Sequence, residues 1–126
     1  MRRSIYIVTA IALLSGGSLG AQTQQDRTVY EPQYRIALTD FQREEAETKD
    51  VEQQMAKETD LAKGCALLRS DVEHLQKQDT ILTQLEDFSR RLHWDKQHSS
   101  AVDQHTAVAA NIQMRQADID RLCKNV

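Results

Sequence analysis

The chain has 126 residues, 16 Lys and Arg against 19 Asp and Glu, and a formal net charge of -3. Hydrophobic residues make up 40 % and aromatics 5 %, so the apolar supply for a core is thin. Of four glycines, three precede residue 21, and Pro32 is the single proline. Sandwiches, barrels and Rossmann domains need turn residues at short intervals, and this composition excludes them.

Arg2 and Arg3, the apolar run Ile5 to Leu14, and the small-residue stretch ending in Gly20-Ala21 have the three-part layout of a secretory signal peptide. A run of ten residues is too short to span a bilayer core, which takes about 20. We therefore expect residues 1–20 to be removed, by cleavage after Gly20 or Ala21, with no membrane insertion afterwards. Localisation is then periplasmic or secreted. Loss of Arg2 and Arg3 leaves 14 basic against 19 acidic side chains. That balance repels nucleic acid and anionic lipid alike.

Residues 21–38 are polar, Gln-rich and contain Pro32, so they are expected to form an extended leader whose tyrosines dock on a helix face. Thr39-Asp40-Phe41-Gln42 fits a capping box, in which Thr39 and Gln42 satisfy each other's free amides. The expected fold is all-α. It consists of a long N-terminal helix and a disulfide-stapled antiparallel helical hairpin with a coiled-coil-like seam, in one domain over residues 39–126. The helices are expected at about 40–63, 65–92 and 101–123, with Gly64 as a hinge or stop.

Leu61, Cys65, Leu68, Val72 and Leu75, then Leu82, Leu85, Phe88 and Leu92, advance in steps of four and three, with Asp79 interrupting. Val102, His105, Ala109, Ile112, Gln116, Ile119 and Cys123 form the second seam. Residues 93–100 read as the turn between them. Cys65 and Cys123 are equidistant from Trp94, so an antiparallel pair brings them face to face. An exported chain with two cysteines favours a bridge. Closing a loop of about 60 residues stabilises by about 4 kcal/mol in the chain-entropy model. The same register places Asp79 within a helical turn of His105, a pair suited to fixing register and to responding to pH.

His93, Asp95 and His98 cluster at the turn and are weak candidates for a divalent metal. No phosphate loop, nucleophile elbow or paired-carboxylate pocket is present, so no catalytic residue and no cofactor are expected. Residues 40–60 carry few large apolar groups, which makes Phe41, Val51 and Met55 the expected anchors for a protein partner. Self-association stays open. Leu38-Thr39-Asp40-Phe41-Gln42 has the form Leu-Thr-x-x-Gln and is similar to the helix start of exported stress chaperones of the LTxxQ family. Those proteins look like basic, cysteine-free cradles, whereas this chain is acidic and has two cysteines. The leading expectation is a non-catalytic exported adaptor or assembly subunit. The alternatives are a periplasmic holdase-like chaperone, which the resemblance implies, and a metal- or pH-responsive sensor.

Overall fold

A computed structural model describes residues 19–126 as three helices, α1 Leu19–Lys57, α2 Leu61–Arg91 and α3 Asp95–Leu122. The expected signal peptide lies almost wholly outside the described residues. Helices α1 and α3 both run antiparallel to α2 and flank it. The all-α hairpin expected from the sequence is present, with α1 folded back upon it as a third member.

The leader is helical, not extended. Tyr30, Tyr34, Ala37, Phe41, Glu44, Thr48, Val51 and Met55 advance in alternating steps of four and three, and each is buried or half-buried. Two polar residues in the middle of this stripe, Glu44 and Thr48, mask its period in the sequence. Tyr30 stacks on Phe88, with ring centroids 6.1 Å apart. Tyr34 meets the edge of Trp94 at 5.2 Å. This burial outweighs the missing backbone donor of Pro32, which sits inside α1. Thr39 is therefore an interior helical residue and not a cap: its hydroxyl donates to the Arg35 carbonyl at 3.0 Å.

Glu58-Thr59-Asp60, and not Gly64, separates α1 from α2. Asp60 has extended backbone angles and its Oδ2 accepts from the Lys63 amide at 2.9 Å. It is an N-cap of the ordinary kind. Gly64 sits in the first turn of α2, its amide donating to the Asp60 carbonyl. The second turn is also shorter than expected. Helix α3 begins at Asp95, so residues 95–100 are helical. His93 makes the reversal with a positive φ of 58°.

The core joins Tyr34, Ala37 and Phe41 of α1 to Leu75, Leu82 and Leu85 of α2 and to Ala101 and Val108 of α3. A second cluster surrounds the Cys65–Cys123 disulfide, with Leu68 buried beside it and Met55 and Ile119 packed against it. The Cα atoms of the bridged cysteines are 5.9 Å apart. Most of the α2 seam is buried as expected. In α3 the inward positions are Ala101, Val108 and Arg115; Val102, Ala109 and Gln116, one residue further on, are exposed. Either set completes a four-three pattern with His105, Ile112 and Ile119, and burial of Val108 over Ala109 removes more apolar area from water.

Candidate functional site

Three polar assemblies lie between the helices, each held by residues from at least two of them. The one the sequence indicates is centred on His105. Its Nε2 pairs with Asp79 Oδ1 at 2.7 Å and its Nδ1 with Glu86 Oε2 at 2.6 Å, both carboxylates coming from α2. Partial burial lowers the proton affinity of the ring, but the hydrogen bonds to Glu86 and Asp79 outweigh it and hold the pKa above the usual histidine value. With both nitrogens facing carboxylates, the imidazolium is the form that satisfies the site. Glu86 stands about two turns along α2 from Asp79, and its i,i+4 spacing to Arg90 favours a surface ion pair over an inward role. Arg90 instead pairs with Asp87.

A second assembly crosses all three helices. Arg115 Nε donates to Asp71 Oδ2 at 2.7 Å, and its Nη2 to Glu52 Oε2 at 3.3 Å. Asp71 is fully buried, and its Oδ1 has no hydrogen-bond partner. Burial holds the Asp71 carboxyl above its ordinary pKa, against the opposing pull of the Arg115 guanidinium. Nothing in the sequence marks Asp71 as internal, since it adjoins the seam residue Val72.

The third assembly joins α1 to α2. His74 Nδ1 donates to Glu44 Oε1 at 2.8 Å and lies 3.5 Å from Glu47 Oε1. One turn away, Gln78 Nε2 donates to Thr48 Oγ1 at 2.7 Å, and that hydroxyl donates to the Glu44 carbonyl at 2.8 Å. These contacts satisfy the buried polar stripe of α1. The His74–Glu44 and Gln78–Thr48 pairs each join residues 30 apart, so no local spacing marks them.

The turn residues His93, Asp95 and His98 border a cleft with Asp26, Arg90 and Arg91. The structure does not bring these three together as a set of ligands. His98 Nδ1 is engaged with the Glu86 carbonyl at 3.0 Å, and two guanidinium groups in the same cleft oppose a cation. The expected partner anchors are also displaced: Phe41 and Val51 are buried at 4 % and 8 % exposure, and Met55 packs against the disulfide cluster. They are core residues, since the folded-back α1 spends its apolar face within the chain.

The open surface is elsewhere. A cleft of about 240 Å³ runs between α1 and α3. Leu82 and Leu85 of α2 lie at its floor with Phe41, and Gln42, Ser100 and Gln104 stand at its rim. No histidine or cysteine lines it, and Glu45 is the one carboxylate in its lining. Among the described residues, no helix is long and apolar enough to cross a membrane. The disulfide is compatible with an oxidising compartment.

Comparison of the chain with protein-family models, with curated proteins and with solved structures finds no match.

Proposed function

We propose that the chain is an exported, non-catalytic binding protein and that its protein partner docks over the α1–α3 cleft. The observation that carries this reading is the composition of the cleft: an apolar floor under a rim of amide and hydroxyl groups and one carboxylate, Glu45. Such a groove admits one or two large apolar side chains from a partner helix while the rim hydrogen-bonds around them. Export is supported by the n-region, apolar run and small residues of the first 21 positions together with the disulfide. Of the three expected anchors, Phe41 lies on the floor of this cleft, whereas Val51 and Met55 do not line it.

Photo-crosslinking from probes at Gln42 and Gln104, in cells and on the exported protein, tests this. One discrete adduct from both positions, absent with a probe at Gln113 on the outer face of α3, is the expected result. A smear of many exported proteins would favour the holdase-like alternative. An adduct from Gln113 alone would remove the cleft from the argument.

A second reading adds regulation to binding. His105, held between Asp79 and Glu86, ties α3 to α2 through a charge that mild changes in pH remove. Binding would then be strongest on one side of neutrality, and the linkage is worked out in the Discussion.

A further inference from the structure

We infer that Glu44, Glu47 and His74 form a binding site for one divalent transition-metal ion, zinc foremost. The site lies on the α1–α2 interface, and the inference does not depend on the α1–α3 cleft. Among the described residues these three each offer one ligand atom, and the three atoms lie within 4.8 Å of one another. Glu44 and Glu47 stand one turn apart on α1, and His74 faces them from α2.

The geometry is close to what an ion requires. Tetrahedral zinc with bonds of about 2.0–2.1 Å holds its ligand atoms roughly 3.3 Å apart. Here His74 Nδ1 is 2.8 Å from one carboxylate oxygen and 3.5 Å from the other. Small side-chain rotations would open the first distance and close the second. On binding, the Nδ1 proton leaves to solvent and the nitrogen lone pair takes its place at the metal. Two carboxylates and a neutral imidazole balance the ion's double charge, and water completes the fourth position on the side where Glu47 is exposed. The imidazole selects a borderline ion over magnesium or calcium, which take oxygen ligands.

A purely structural role explains only part of the arrangement. The buried Glu44 pinned by His74 would lock α1 to α2 by itself. Glu47 adds nothing to that lock: its side chain is 47 % exposed, and His74 already has a shorter partner. A second carboxylate aimed at the same ring nitrogen is what a metal site needs and what a helix–helix pin does not.

The test is titration of the full, disulfide-bonded chain with zinc chloride by calorimetry, alongside thermal melts with and without zinc. The expected result is one ion per chain and a Tm that rises with zinc concentration. Glu47→Gln should weaken zinc binding more than about tenfold while leaving the zinc-free Tm unchanged. His74→Gln should abolish binding. The double variant His93→Ala/His98→Ala should bind like the parent. No binding by the parent chain at about 1 mM zinc, far above any specific affinity for such a ligand set, would overturn the inference. So would affinity unchanged by Glu47→Gln, or lost in the His93/His98 variant.

Discussion

Arg115 on α3 reaches across the bundle to Asp71 on α2, which is fully buried and has one carboxylate oxygen without a partner. The pair locks the disulfide-bearing end of the hairpin, and Glu52 brings α1 into the same contact.

Replacing Arg115 should expose the cost of that enclosure. Arg115→Met leaves a buried carboxylate with no counter-charge, a change that destabilises by about 3–5 kcal/mol. The double variant Arg115→Met/Asp71→Leu should recover much of the loss, because it removes the buried charge as well. Urea denaturation of the three proteins measures this, and a double variant no better than the single would refute it.

His105 gives a pH dependence with a defined sign. Its folded pKa is raised above the unfolded value, which is about 6.5. The stabilisation is therefore fully present below the unfolded value and is lost as pH rises through the folded one. The Tm gap between parent and His105→Gln should be wide at about pH 5.5 and should vanish by about pH 9. A gap of equal size at both values would show that the imidazolium contributes nothing.

Removal of the disulfide should cost about as much as a large core truncation. Cys65 and Cys123 are 58 residues apart, and Cys65→Ser/Cys123→Ser should destabilise by about 4 kcal/mol. Leu82→Ala, at a fully buried site, should cost about 2–5 kcal/mol. The reduced parent should melt together with the double serine variant in a thermal scan.

Two substitutions should raise stability. Pro32 is exposed within α1, and Pro32→Ala restores the backbone donor to the Thr28 carbonyl, a gain of about 1–3 kcal/mol. Gly64 lies in the first turn of α2 with open space where a Cβ would project, so Gly64→Ala should add about 0.4–1 kcal/mol. Were residues 21–38 an extended leader, Pro32→Ala would leave the Tm unmoved.

Phe41 separates a core residue from a partner anchor. Its burial at 4 % exposure predicts that Phe41→Ala destabilises the isolated chain by about 3–5 kcal/mol. Thermal melts of the isolated chain check this, and a Phe41→Ala protein as stable as the parent would refute the core assignment.

The sequence by itself determined the helical class, the antiparallel α2–α3 pairing, the Cys65–Cys123 bridge and the contact of Asp79 with His105. These rest on local helix propensity and on distance from one turn, both of which a single chain displays. Its account of α1 failed at two points of local chemistry. Pro32 suggested an extended segment, and Thr39 and Gln42 suggested a cap; the burial of Tyr30, Tyr34 and Phe41 on α2 and α3 overrode both. The break expected at Gly64 lies at Glu58-Thr59-Asp60, because Asp60 caps α2 and Gly64 is accommodated in its first turn. Only the tertiary structure decided that α1 folds back, that Glu44 and Thr48 lie inside, and that Arg115 meets Asp71. A buried polar side chain needs a hydrogen-bonding partner, and for these residues another helix supplies it. That partner is 30 residues away for Glu44 and Thr48 and 44 for Asp71, so no local pattern announces it.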